Sequence, residues 1–305
     1  MRSPHYRLAL LCLVTATFFT STAGVLLRWL EEAEGWRVLF WRSLFFALTM
    51  ALWLALVHRG SLRRAFTQLS WRGLELALVW GAATVAFIFA LLETTVARVV
   101  IINALLPFVT AILGWLVLGE RVRPLTWLAM ALATVGIAVM AQGGIAAGGS
   151  LLGDLLSALC CLLSGMMFVS MRRHPEVDKV PAMFVAGLLI MPVALAMAPE
   201  IAVSPHDLAI LAALGCLQLG AQYLLVSYAS RAVPAAEIAL TGRLGIVLAP
   251  LWAWLGAGEI PAEATLWGGA IVLAAVAGQG IFGLRRRPQA VARALDASTA
   301  AGPAA

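Results

Sequence analysis

What most restricts the fold of this chain is the way its apolar residues arrive: in long unbroken runs, separated by short connectors that carry most of the charge. The runs are about 17 to 23 residues long, the length that a hydrocarbon layer about 30 Å thick demands at 1.5 Å of rise per helical residue. Of 305 residues, 62% are hydrophobic and only 12% charged, with a mean hydropathy of +0.95. Soluble domains carry about 25% charged residues. A soluble fold has no interior large enough to hide so much apolar surface, so the pattern predicts an all-α integral membrane protein.

The runs predict ten transmembrane helices. In the first half they are 8–27, 38–57, 74–92, 99–118 and 125–141. In the second they are 151–171, 181–198, 208–228, 235–257 and 264–284. The domain reading is a first five-helix repeat over 1–142, a Gly-rich joint at 143–150, and a second five-helix repeat over 151–284. The tail 285–305, rich in Ala, Arg and Pro and without apolar periodicity, is expected to be disordered and cytoplasmic. Arg2 and Arg7 precede the first run as the basic region of a secretory signal would. The run is too long for a cleaved signal, whose apolar part is about 7 to 15 residues, and is read as an uncleaved span.

Assigning connectors to alternate sides places 16 of the 21 Lys and Arg on one side, among them Arg63, Arg64, Arg121, Arg172 and Arg285. Only Arg28 and Arg37 fall on the other, while Arg42, Arg98 and Arg243 lie in spans or at their edges. By the positive-inside rule the crowded side is cytoplasmic, so both termini are expected there, in a bacterial-type inner (plasma) membrane. The same distribution argues against nucleic acid, because the basic residues sit in scattered connectors rather than on one face. Cys12, Cys160, Cys161 and Cys216 all lie inside apolar runs without CxxC spacing and suggest neither a disulfide framework nor a metal site.

The two halves are related. A shift of 139 residues carries Trp115, Gly119 and Glu120 onto Trp254, Gly258 and Glu259. Each half also holds one apolar run interrupted by a polar residue and a proline: Asn103 with Pro107, and Arg243 with Pro250. Such a pair in corresponding positions is the best sequence pointer to a transporter's binding site. Five helices per half is an odd number, so the second half enters the membrane from the opposite side and the repeats are inverted.

Several stretches carry a family resemblance: Phe40-Trp41-Arg42, Glu93-Thr94-Thr95-Val96-Ala97, Leu105-Leu106-Pro107, Leu116 to Arg121, and the weaker echo Gly258-Glu259. In these the chain, over about 8–284, resembles the drug/metabolite transporter superfamily in its ten-helix EamA branch. The resemblance implies a carrier of amino acids, metabolites, sugars or drugs. Many such carriers export their solute, and export is the expected direction. The second half departs from the pattern at Glu237, Arg243 and Pro250, and Pro250 sits about one turn later than Pro107 predicts.

Polar residues within spans are costly and mark candidate sites. An arginine near a helix centre costs about 2.5 to 3.5 kcal/mol on insertion scales and should face the bundle interior with a partner. Arg243 is read either as the holder of a substrate carboxylate or phosphate or as half of a structural ion pair. Asn103, Pro107 and Thr110 form one helical stripe, read as substrate contact or as a kink whose Asn103 bonds a neighbouring helix; Pro250 takes the matching place in the ninth span. Gln218 and Gln222 line a cavity or join helices, and Trp80 and Thr84 line it or pack in the core. Arg42 and Arg98 snorkel to the interface, pair with Glu93, or form a gate. Glu120 and Glu259, at helix ends where the dipole disfavours an acid, act as clamps on the next helix, as gates or as proton sites. Glu237 is grouped with these gate and helix-end residues.

The sequence has no Walker, HExxH or GxSxG motif, and its four histidines lie in connectors or near the N-terminus. No enzyme activity and no cofactor are therefore expected. The reading is a secondary transporter for a small, amino-acid-like or other anionic metabolite, working by alternating access in the lipid bilayer. Protons or a counter-substrate are its candidate coupling partners. A membrane enzyme and a non-transporting scaffold are the alternatives.

Overall fold

The computed structural model describes residues 4–57, 70–103, 105–119, 128, 131–132, 135–136, 139, 150–174, 177, 179–229, 242, 244–258, 263–264, 266–271 and 273–275. Every regular element among them is helical.

The first span is two helices, α1 (Pro4–Ser21) and α2 (Ala23–Arg28), rather than the single helix expected over 8–27. The cause is a run of hydroxyls: Thr17, Thr20, Ser21 and Thr22 each donate to a carbonyl three or four residues back. Such back-bonding bends helices. The second span, α3 (Gly35–Val57), starts three residues before its predicted limit. There the Glu34 carboxylate accepts the backbone N–H groups of Trp36 at 3.0 Å and Arg37 at 2.7 Å, an anionic cap on a helix N-terminus. The third span is α4 (Trp71–Glu93).

The fourth span breaks where its proline predicts, into α5 (Val96–Asn103) and α6 (Leu106–Leu118). Pro107 sits in the first turn of α6, where proline is well tolerated. Gly119 ends α6 with a left-handed φ of +68°. The sixth and seventh spans are α7 (Leu151–Arg173) and α8 (Lys179–Met197), the latter with Pro192 inside it. The eighth joins α9 (Pro205–Ala212), a π-helical segment Ala213–Ala221, and α10 (Gln222–Ala229). In the ninth, α11 (Leu244–Ala257) is described and is closed by Gly258 at φ +66°. Most of the predicted fifth span, the start of the predicted ninth, the end of the predicted tenth and the tail 285–305 lie outside the described residues.

Seven described spans are long and apolar enough to cross a membrane. Outward residues suit lipid: Leu11, Leu52 and Leu116 on these spans, and Leu255 on α11, are each more than 60% exposed. The interior is held by Leu27, Leu39, Ile88, Leu91, Leu211 and Leu214, drawn from both halves.

Packing between the halves has an internal symmetry. α4 packs on α7 as the first span packs on the eighth, and the fourth span packs on α7 as α11 packs on the first. α8 lies against α4 as the eighth span lies against α3. α3 with α8, and α5 with α11, are their own counterparts. Among the described residues, exchanging the halves reproduces these contacts between them.

Chain directions follow the same rule, because one end of the bundle collects alternate termini. Arg28, at the end of α2, donates to the carbonyls of Leu91 (2.8 Å) and Thr94 (2.9 Å) at the end of α4. Trp29 Nε1 donates to the Gly256 carbonyl at 2.7 Å. At the start of α3, Arg37 Nε and Trp41 Nε1 donate to the Glu200 and Ile201 carbonyls beyond α8. The buried Asp207 carboxylate, at the start of α9, accepts the N–H groups of Glu31 and Glu32. Arg98 of α5 pairs with Asp154 of α7. The first, third, seventh and ninth spans thus end where the second, fourth, sixth and eighth begin.

Candidate functional site

The deepest described charge is Arg42. Because α3 begins at Gly35, Arg42 lies seven residues, or about 10 Å, along its axis. It is 2% exposed. Nη2 donates to Gln218 Oε1 on the π segment at 2.9 Å, while Nε and Nη1 have no hydrogen-bond partner. A charge-assisted bond returns about 1.5 to 3 kcal/mol, whereas each buried unmet donor costs about 1 to 3. On that balance Arg42 is a strained residue.

Its surroundings come from both halves. Helix glycines allow the second span to be gripped closely. A Cβ on Gly215 would overlap Phe45 Cβ and sit 2.7 Å from the Arg42 carbonyl oxygen, and one on Gly220 would lie 2.7 Å from Thr49 Cγ2. On the other side, a Cβ on Gly187 of α8 would meet Phe46 and Ala47 at 3.3 to 3.4 Å. Phe46 stacks on Trp80 with centroids 5.0 Å apart. Phe46 follows Arg42 by four residues, one helical turn on the same face. The π segment widens the eighth span where it faces Arg42, and π turns concentrate at functional sites.

A second polar node joins α5 to α7. The Asn103 amide donates to the Val99 carbonyl (2.9 Å) and to Ser157 Oγ (3.0 Å), and Ser157 in turn donates to Val99. Both amide hydrogens of Asn103 are therefore spent on holding the broken helix to its neighbour. Pro107 withholds an N–H from the Asn103 carbonyl, and Pro250, within α11, does the same to Ile246.

The EamA-like transporter family model matches the chain twice, over 7–142 and 151–279. The chain belongs to this family. An uncharacterized transporter of Pseudomonas aeruginosa is 29% identical over 163 residues, 51% of this chain and 49% of that protein. The match thus spans about half the length of the curated relative. A protein crystal structure superposes with a TM-score of 0.65 over 94% of this chain and 100% of the other, at 21% identity, a likeness of fold. The family is one of EamA-like transporters.

Within this family member the predicted residues fall into distinct places. Gln218 is 3% exposed and bonded to Arg42, and Gln222 is half-buried at the start of α10. Thr84 is buried and Trp80 packs on Phe46. The Thr110 hydroxyl donates to the Leu106 carbonyl of its own helix. Arg243, Glu120, Glu237 and Glu259 lie outside the described residues. Two pairings differ from expectation. Arg42 neither reaches the interface nor meets Glu93, which is exposed at the end of α4. The cap at Glu34 starts α3 a turn early and so places Arg42 a turn deeper. Arg98 takes Asp154 rather than Glu93.

Two residues escaped the sequence reading. Ser157 was one hydroxyl in an apolar run. Asp207 had a visible signal, since Ser204-Pro205-His206-Asp207 has the spacing of a capping box, and Ser204 does accept the Asp207 N–H at 3.2 Å. What it could not disclose is the carboxylate's second task of holding the loop at Glu31 and Glu32.

Proposed function

We propose that this chain is a secondary transporter that moves a small metabolite, amino-acid-like or otherwise anionic, out across a bacterial-type inner membrane by alternating access. Its architecture in this reading is ten spans in two inverted five-helix repeats, 1–142 and 151–284, joined by 143–150. The observation that carries it is the exchange symmetry of the packing between halves. Two halves that share one packing plan but differ in detail can trade conformations around a central site, which is how inverted-repeat carriers alternate. Opposed directions of corresponding spans would make the traded arrangement open to the other side.

The end bound by Arg28, Arg37, Asp207 and the Arg98–Asp154 pair is the closed side in this reading. Solute contacts are assigned to the broken fourth and ninth spans and to the eighth: Asn103, Thr110, Arg243, Gln218 and Gln222, with Pro107 and Pro250 providing the breaks. Glu120 and Glu259 are assigned to clamping helix ends. Protons or a counter-substrate would drive the cycle.

Purified protein in liposomes, offered labelled amino acids and small carboxylic acids, tests the reading. Saturable uptake that accelerates when the vesicles are preloaded with the same solute is expected. Flux equal to that of protein-free liposomes for every solute, with single cysteines reacting from one side only regardless of conditions, would overturn it.

A further inference from the structure

We propose that Arg42 holds the carboxylate of the transported solute, with Gln218 beside it as a positioning amide. This rests on the transporter reading and adds to it the chemical class of the cargo and the residue that reads it.

Arg42 offers more hydrogen-bond donors than the protein accepts. Its guanidinium carries five N–H groups in a planar fork. Gln218 takes one nitrogen, and the other two nitrogens are without partners inside the bundle. Gln218 is neutral, so it supplies an acceptor and no counter-charge. The described acids are committed elsewhere or face outward: Asp154 pairs with Arg98, Asp207 holds the backbone at Glu31 and Glu32, and Glu93 is exposed. On α7, Cys160 is a buried thiol whose Sγ lies 4.0 Å from Ser164 Oγ. What the site lacks is a planar anion, and a carboxylate matches the fork bidentately.

The placement is also right for cargo. Arg42 stands where spans from both halves meet, α3 from the first and the π segment from the second. Phe46 lies one turn further along α3 on the same face and stacks on Trp80 of α4, an apolar shelf for the uncharged part of a solute. Gly215 keeps the two backbones in contact beside the arginine, so a small change in the π segment moves Gln218 relative to Arg42. A merely structural arginine would have been met by an acid or by helix-end carbonyls, as Arg98 and Arg28 are.

The test uses the intact protein in lipid vesicles with L-alanine, L-phenylalanine, lactate and succinate, each beside its amide. Phenylglyoxal modifies arginine, and digestion with mass spectrometry reads its rate at Arg42. A site that opens during the cycle is expected to be modified, at least about threefold more slowly with one of the acids and at an unchanged rate with the amides. Arg42 inert to the reagent, or protected equally by acid and amide or by neither, overturns the proposal. In transport, Arg42→Gln is expected to raise the half-saturating acid concentration about thirty-fold or more, with Arg42→Lys recovering part. Should Arg42→Gln fail to fold, the modification experiment decides alone. Vesicles that move amides as well as acids would refute the assignment while leaving a transporter; vesicles that move nothing, with Arg42 inert, would refute both.

Discussion

Gly119 and Gly258 are the plainest sign that one design is used twice. Each closes its helix in the left-handed region, and each donates its N–H back to a tryptophan carbonyl four residues earlier: Trp115 at 3.0 Å and Trp254 at 3.1 Å. A side chain at such a φ costs about 1 to 2 kcal/mol. Gly119→Ala and Gly258→Ala should therefore lower the melting temperature in detergent by similar amounts. Gly245→Ala should leave it level or raise it, since its Cβ would meet only Thr17 at 3.7 Å and a helical glycine is replaced. Unequal losses at the two caps would argue against equivalent roles. These glycines were legible because a conformational demand is local and follows the residue type. Arg42 was not. Its depth depends on where α3 begins, which the Glu34 carboxylate decides, and its partner Gln218 is 176 residues away.

The breaks in the helices divide along the same line. Proline removes an N–H wherever it stands, so the split at Pro107 could be read directly. Neither the bend at Thr22 nor the π turns at 213–221 could be. The first needs four hydroxyls to bond backwards together, and the second needs Gly215 seated against α3. The break at Pro107 should matter to movement. Pro107→Ala restores a donor for the Asn103 carbonyl and lets α5 and α6 join, so a higher melting temperature with slower solute turnover is expected; unchanged turnover would reduce the break to packing. The hinge is held to α7 by Asn103 with Ser157 and by Arg98 with Asp154. A double-mutant cycle with Arg98→Gln and Asp154→Asn should show a coupling of about 0.5 to 3 kcal/mol in unfolding. Additive effects would mean that the pair forms without holding anything.

Taken over the entire chain, bundle and charge tell one story about orientation. The end tied together by hydrogen bonds carries Arg28, Arg37 and Arg98, each engaged with an acid or a carbonyl, so little free positive charge is left there. Arg72, Arg173 and Lys179 stand at the opposite end, where α4 and α8 start and α7 finishes. Positive connectors stay in the cytoplasm during insertion, so the tied end should face outward and both termini inward. The check is a variant without Cys12, Cys160, Cys161 and Cys216, given single cysteines near Arg63, Arg121, Arg172, Glu32, Gly148 or Pro205. Alanine is the replacement to use at Cys160 and Cys161, because both are at most 5% exposed among apolar neighbours and a hydroxyl there would need a partner. In intact cells an impermeant thiol reagent should label the positions near Glu32, Gly148 and Pro205, and should reach those near Arg63, Arg121 and Arg172 only after the membrane is opened. Gly148 carries the most weight. It lies in the joint between the repeats, and it faces outward only if the first half crosses the membrane an odd number of times. Labelling at Arg63 or Arg172 in sealed cells would reverse the orientation, and a protected Gly148 beside a labelled Pro205 would end the five-plus-five count on which inverted repeats depend.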